Sequence, residues 1–131
     1  MIIGIGTDLV DIRRIATSIE KTGERFVRRI LSDSEVAQWQ QISTSERANA
    51  FVAKRFAAKE AAVKAIGTGI GNGVSFQHFT VANLPSGQPV LTVAKEIEQL
   101  VGQPIKWHLT LSDERHYAQA FVIAEAIEPE E

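Results

Sequence analysis

Residues 55–73 read RFAAKEAAVKAIGTGIGNG. An alanine-rich stretch of strong helix formers runs into a loop with glycine at 67, 69, 71 and 73. Gly67 is the natural stop for the helix. Upstream, Ser43-Thr44-Ser45-Glu46 reads as a capping box, so the spacing predicts one long helix over about 46–66. At about 100° per residue, Val52, Phe56, Val63 and Ile66 form one apolar stripe. Lys59 projects near the middle of it, where an unpaired charge is costly; it needs a buried carboxylate or a bound anion. Glu60 and Lys64 lie one turn apart at the stripe's edge, beside Ala53 and Ala57. Two readings fit that pair. It is a solvated i,i+4 ion pair, or the small neighbours leave space for a ligand.

Outward from this helix the periodicity alternates between helical and twofold. Residues 2–7 are β-branched and read as a strand. A helix from about Val10 to 21 is interrupted at Thr22-Gly23, and Ser32-Asp33-Ser34-Glu35 is a capping box for another. After the glycines, 75–82 reads as a strand, Asn83–Gly87 as a turn, and Pro89–Thr92 as a strand. A short helix over 93–101 stops at Gly102. Ile105, Trp107, Leu109 and Leu111 alternate with polar residues. Asp113–His116 turns the chain into a last strand, Tyr117–Ile127, hairpinned to the one before it. The tail, EPEE, reads as frayed. The expected fold is α+β in one domain over residues 1–131, with helices packed on a mainly antiparallel sheet.

Composition narrows the chemistry. The chain has 131 residues and no cysteine, so any metal is held by oxygen or imidazole. No apolar run approaches the roughly 20 residues of a membrane span, and MIIGIGTDLV lacks the features of a signal peptide; the expected setting is cytoplasmic, with no membrane partner. The net charge of −2 opposes general nucleic-acid binding. Yet Arg13–Ile30 holds six basic and two acidic residues, a local +4. That asymmetry suits an acidic partner, although a solvated face also accounts for it.

Three further features bear on function. Gly4, Gly6 and Asp8 share one strand face, so two bare positions flank a carboxylate that either binds an ion or, like Thr7, caps the next helix. The glycine loop follows a helix and carries no Gly-Lys-Ser/Thr. It is not a Walker loop, and it reads equally as a phosphate cradle or as a helix cap with a flexible connection. His78 and His108 sit in strand patterns and read as structural; His116, in a turn, is open.

Taken together, GIGTDLVDIRRI, RFAAKEAAVKAIGTGIGNG and TLSDERHYAQAFV resemble the holo-[acyl-carrier-protein] synthase family of 4′-phosphopantetheinyl transferases over nearly the whole chain. The resemblance implies Mg²⁺-dependent transfer of 4′-phosphopantetheine from coenzyme A to a serine of apo acyl carrier protein, releasing adenosine 3′,5′-bisphosphate, in fatty acid biosynthesis. It implies that Asp8 and Glu60 bind the metal and that Lys64 contacts the phosphates, these three being the catalytic set. It assigns coenzyme A to Arg47, Arg55, Lys64 and the loop residues Gly67, Thr68, Gly69 and Gly71. Arg14, Arg25 and Arg29 match the carrier-docking surface. A homotrimer with active sites between subunits is implied, Arg47 acting on a neighbour's ligand. One departure stands out: some family members have a histidine after the late-strand serine, and here Ser112 is followed by Asp113, which would repel a phosphate unless it turns away. The rival functions are a basic nucleic-acid module and a coenzyme A sensor that transfers nothing; neither accounts for the carboxylate pair.

Overall fold

The computed structural model describes residues 1–128. The order is β1 (Ile2–Asp11), α1 (Ile12–Thr22), α2 (Glu24–Ile30), α3 (Asp33–Gln40), α4 (Ser45–Ile66), a 3₁₀ turn (Phe76–His78), β2 (Phe79–Asn83), β3 (Pro89–Val93), α5 (Lys95–Val101), β4 (Ile105–Asp113) and β5 (Tyr117–Ala126). Strands β1, β5 and β4 form one antiparallel sheet with β5 in the centre; β2 and β3 form a separate antiparallel hairpin. Among the described residues no helix is long and apolar enough to cross a membrane.

The expected α+β architecture is present, and α4 is its axis. The helix lies across the inner face of the three-stranded sheet, against β1 and β5. That face carries Gly4, Gly6, Asp8 and Val10 from β1, opposite Ala124, Val122, Ala120 and Ala118 of β5. On the helix side Ala57, Ala58, Ala61, Ala62 and Ala65 are buried. A Cβ built on Gly4 would lie 1.6 Å from the carbonyl oxygen of Ala65, and one on Gly6 would lie 1.9 Å from that of Ala61. The helix backbone therefore rests directly on the strand backbone. The positions expected to leave room for a ligand are taken up by the fold: Gly4 and Gly6 by the helix backbone at Ala65 and Ala61, while Ala53 and Ala57 are fully buried.

Several boundaries differ from the sequence expectation. β1 runs to Asp11 instead of ending at Thr7, because its pairing with β5 continues to Tyr117. Asp11, not Asp8 or Thr7, caps α1 by accepting the Arg13 N–H at 3.0 Å. Gly23, at φ 62°, does separate α1 from α2. Thr44, one residue beyond the expected Ser43, caps α4 by accepting the Arg47 N–H. The stretch 75–78 is a 3₁₀ turn instead of strand, since the Ser75 N–H donates to His78 Nδ1 at 3.0 Å. Asp113 belongs to β4, paired with Ala118, so the turn is tighter than read.

Lys59 does find a buried carboxylate. Its Nζ donates to Glu35 Oε1 at 2.6 Å and to the Ile30 carbonyl at 2.7 Å. Glu35, the capping-box residue of α3, also accepts the Ser32 N–H on Oε1 and the Val81 N–H on Oε2, both at 2.8 Å. Both side chains are fully buried. The pair joins α2, α3, α4 and β2 at one point.

Removing one partner strands a buried charge, so Lys59→Met is expected to cost about 3–5 kcal/mol in denaturant unfolding. Adding Glu35→Gln is expected to recover part of that loss: it removes the stranded charge, although its NH₂ faces one of the two backbone N–H groups that the carboxylate accepts. Gly6→Ala forces a methyl group into the Ala61 carbonyl and is expected to lose about 1–3 kcal/mol or more, seen as a lower urea midpoint.

Candidate active site

The glycine contact decides where Asp8 goes. Past Gly6, the next inner-face residue of β1 is the first with a side chain, and it emerges beside the C-terminal half of α4. There Lys64 Nζ donates to Asp8 Oδ1 at 2.9 Å and to the Thr7 carbonyl at 3.0 Å. Glu60 stands one turn earlier on the same helix. Burial and the negative charge of Asp8 both push the Glu60 carboxyl above the usual glutamate range, and Lys64 offsets them in part. The three residues predicted as the catalytic set are thus brought together from elements some 50 residues apart in sequence.

Two carboxylates facing one ammonium leave the site short of positive charge. Among the described residues no group of three or more His, Cys, Asp or Glu assembles to hold a metal. The protein therefore offers two hard oxygen donors here and no complete cage. That donor set fits Mg²⁺, which keeps water and substrate phosphate in its shell and takes only one or two carboxylates.

Asp8 also forms part of the wall of a cleft of about 550 Å³. Arg14, Ile15, Ser18, Phe26 and Phe56 line it, with Tyr117. Ser18 and Phe26 also line an adjoining hollow with Lys21, Arg25 and Arg29. The predicted basic residues Arg14, Arg25 and Arg29 are all exposed, and they border one trough that leads to Asp8. The sequence reading missed the apolar floor of this trough. Phe26 and Phe56 look like core positions by periodicity, and only their partial exposure in three dimensions marks them as lining.

Beyond Lys64 the helix closes on Gly67, whose N–H donates to the Lys64 carbonyl, while the Thr68 N–H reaches the Val63 carbonyl, each at 3.1 Å. Gly67, at φ 75° and ψ 15°, is left-handed, the geometry that ends helices on glycine. Asn72-Gly73, both at positive φ, make a two-residue turn bridged by Gly71 and Val74, the conformation that Asn-Gly favours. Space around the loop glycines is open, so they serve backbone shape and access, not packing within the chain.

The remaining predicted residues lie elsewhere. Arg55 is buried on another face of α4, with Nη2 donating to Asn83 Oδ1 at 2.9 Å and its guanidinium 3.9 Å from the Phe51 ring centroid. Its burial lowers its proton affinity in spite of Glu35's charge, and its Nε has no partner among the described residues. Arg47 is exposed in the first turn of α4, thirteen residues and about 20 Å of helix from Glu60. It borders a hollow with Lys54, Phe51 and Asp113. Asp113 lines the same hollow, with its Oδ1 3.7 Å from Lys54 Nζ. His78 caps its turn and His108 pairs with Glu125 at 2.9 Å, both structural roles; the His116 carbonyl accepts the Ile12 N–H at 2.8 Å.

Comparison with known proteins places this geometry. Residues 4–125 match the family described as the 4′-phosphopantetheinyl transferase superfamily. The chain is 68% identical over 126 residues to the holo-[acyl-carrier-protein] synthase of Marinomonas sp. (strain MWYL1), covering 96% of this chain and 99% of the relative. Its fold is similar to a crystal structure of holo-[acyl-carrier-protein] synthase from Neisseria meningitidis, with TM-score 0.86 and 38% identity, covering 95% of this chain and 99% of that one. A structure of the Bacillus anthracis str. Ames synthase in complex with CoA (3′,5′-ADP) aligns with TM-score 0.84 and 37% identity, covering 97% and 99%. With matches that span almost the full length in sequence and in fold, the chain belongs to the 4′-phosphopantetheinyl transferase superfamily.

Proposed function

We propose that this protein is a holo-[acyl-carrier-protein] synthase: it transfers 4′-phosphopantetheine from coenzyme A to a serine hydroxyl of apo acyl carrier protein and releases adenosine 3′,5′-bisphosphate. The observation that carries this reading is the Asp8–Lys64–Glu60 cluster at one end of a trough whose other end is basic. In the reaction the serine oxygen bonds to the β-phosphorus and gives up its proton to water, and the bond from that phosphorus to the bridging oxygen breaks, leaving its electron pair on the nucleotide. Such a step needs alignment and charge neutralisation more than covalent help. Asp8 and Glu60 would hold Mg²⁺, which when bound polarises the phosphoryl oxygens. Lys64 stabilises the negative charge of the departing phosphate by donating N–H bonds to it. The amides and open space of the Gly67–Gly71 loop admit the bulky nucleotide next to Lys64. Arg14, Arg25 and Arg29 attract the acidic carrier and set its serine over the cleft.

The assembly we propose is a homotrimer. The outer face of the sheet exposes Ile5, Leu9 and Phe121, with Leu9 65% exposed, an apolar surface suited to further copies of the chain. Arg47 is too far along α4 to serve its own Glu60, and it would reach a neighbour's coenzyme A instead. Arg55 would meet a phosphate only where the ligand approaches its orphaned Nε.

The primary test mixes the protein with coenzyme A, Mg²⁺ and an apo carrier, and reads one added phosphopantetheine on the carrier by mass spectrometry. Asp8→Ala and Glu60→Ala are each expected to slow transfer by about 10²-fold or more with unchanged far-ultraviolet circular dichroism. A carrier that stays unmodified by the wild type refutes the assignment.

Charge reversal of Arg14 and Arg25 to Glu is expected to raise KM for the carrier and flatten its salt dependence, because attraction over roughly 8 Å is screened at physiological ionic strength. Binding of coenzyme A is expected to be unchanged. An unaltered carrier KM would move docking away from α1 and α2.

Mixed trimers test the shared site. Asp8→Ala and Arg47→Ala proteins, each slow alone, are expected to regain activity when unfolded and refolded together, since a mixed interface can contain an intact Asp8 and an intact Arg47. No recovery would return Arg47 to its own subunit's site or remove it from catalysis.

A further inference from the structure

Asp8 already carries a cation. Of the three protons on Lys64 Nζ, one is directed to Asp8 Oδ1 and another to the Thr7 carbonyl, at 2.9 and 3.0 Å. The lysine side chain is 51% exposed and that of Asp8 only 16%. A lysine whose sole task is to await a phosphate would gain most by staying in water. This one reaches back across the helix–strand junction and binds oxygens that a hard divalent cation would take. Glu60 has no hydrogen-bond or ion-pair partner among the described residues, and Lys64 is the cation that offsets its surroundings. One ammonium thus serves two carboxylates, and it contacts only one of them.

We infer that Lys64 is a placeholder cation that occupies Asp8 when the divalent site is vacant and is released from Asp8 when a divalent ion binds there, which frees its ammonium for the substrate phosphate. The inference rests on the reading of Asp8 and Glu60 as the metal-binding pair. Its physical basis is competition for one acceptor. The ammonium is a compact charge on a flexible four-carbon stem, so it can leave Asp8 without moving α4. A divalent ion carries twice the charge and can satisfy both carboxylates together.

Two consequences separate this role from that of a simple phosphate contact. A divalent ion binding alone must first displace Lys64, so its affinity in the absence of nucleotide is held down. A phosphate gives the displaced ammonium a new partner, so nucleotide and metal each favour the same released state and bind with positive coupling, which is reciprocal. Removing the ammonium should therefore strengthen metal binding alone while reducing its coupling to nucleotide. A lysine that merely stood near the metal would also weaken metal-only binding by its charge, but it would not become more reactive when the ion binds.

The experiment is a calorimetric titration of the full-length, nucleotide-free protein with Mg²⁺, repeated with adenosine 3′,5′-bisphosphate present. Lys64→Met is expected to bind Mg²⁺ alone about tenfold more tightly, the scale of one unit charge a few ångströms away in a partly solvated site. Lys64→Arg retains the charge and is expected to stay close to the wild type. In Lys64→Met the nucleotide should increase Mg²⁺ affinity by a smaller factor than in the wild type. Trace acetylation of the wild type, read by peptide mapping, should show Lys64 becoming more reactive on addition of Mg²⁺ and protected again by the nucleotide. Metal-only affinity that is unchanged or weaker in Lys64→Met, or a Lys64 no more reactive with Mg²⁺ than without it, overturns the inference while leaving the carboxylate pair in place. Mg²⁺ binding that persists undiminished in Glu60→Gln and in Asp8→Asn overturns the metal-site reading, and the inference with it.

Discussion

The contact between the backbone of β1 and the backbone of α4 is the constraint on which the rest of the structure depends. Gly4 and Gly6 face the carbonyls of Ala65 and Ala61 so closely that no side chain fits between. Ordinary helix–sheet packing separates the layers by two sets of side chains, which can repack when sequence or ligand changes. Here the layers meet through main-chain atoms and alanine methyl groups. Such a junction has few soft degrees of freedom, since close-packed interiors transmit strain instead of absorbing it. The residues that flank it, Asp8 on the strand and Glu60 and Lys64 on the helix, inherit its rigidity. Asp8 and Glu60 repel each other, and the rigid backbone junction keeps them close in spite of that.

Adjacent residues on α4 show two opposite electrostatic solutions. Lys59 and Glu35 form a closed arrangement: the carboxylate accepts from an ammonium and two backbone amides, and the ammonium also reaches a carbonyl. Little is left for a ligand to improve, so this pair fixes the positions of α2, α3 and β2 around the helix. One residue later, Glu60 faces Asp8 with Lys64 shared between them. That arrangement is open and carries excess negative charge. Any arriving cation lowers its energy, which is the property a binding site needs. The helix therefore uses consecutive charged positions about 100° apart for scaffolding on one side and for an open acidic cluster on the other.

Much of this was legible because it depends on local pattern. The long helix, its glycine stop, the interruption at Gly23 and the closing hairpin all follow from spacing and from turn residues. The demand that Lys59 have a buried partner follows from the cost of a lone buried charge. Other features depend on what lies opposite, which one sequence does not display. Ala53, Ala57, Gly4 and Gly6 look like empty space until the first two are found buried and the glycines are seen to face Ala65 and Ala61. Asp8 is a plausible cap until the β1–β5 pairing extends past it and leaves that task to Asp11. Arg55 looks like another member of the cationic set, yet Asn83 and Phe51 take its guanidinium, because the hairpin that covers it comes 28 residues later in the chain. The family resemblance named Asp8, Glu60 and Lys64, which the fold brings together, but it could not reveal that Lys64 donates to Asp8.

The layout also explains why charge and apolar surface alternate along the trough. On the docking proposed above, a carrier surface approaching α1 and α2 would meet Arg14, Arg25 and Arg29 first, and attraction over about a Debye length would orient it before contact. Charge alone would hold it at many angles, because long arginine side chains adapt to several partners. The apolar floor, with Ile15, Phe26 and Phe56, rewards only the pose that excludes water from it. Asp8 borders the same cleft, so under that proposal the pose that buries this floor would also bring a reactive group to the acidic cluster. Attraction at a distance and fit at contact are thus carried by different residues. The break at Gly23 matters here, since it turns α2 away from the axis of α1 and lets Arg25 and Arg29 border the hollow next to Ser18 and Phe26. A continuous helix would spread the same charges along a straight rod with no hollow for the partner to enter.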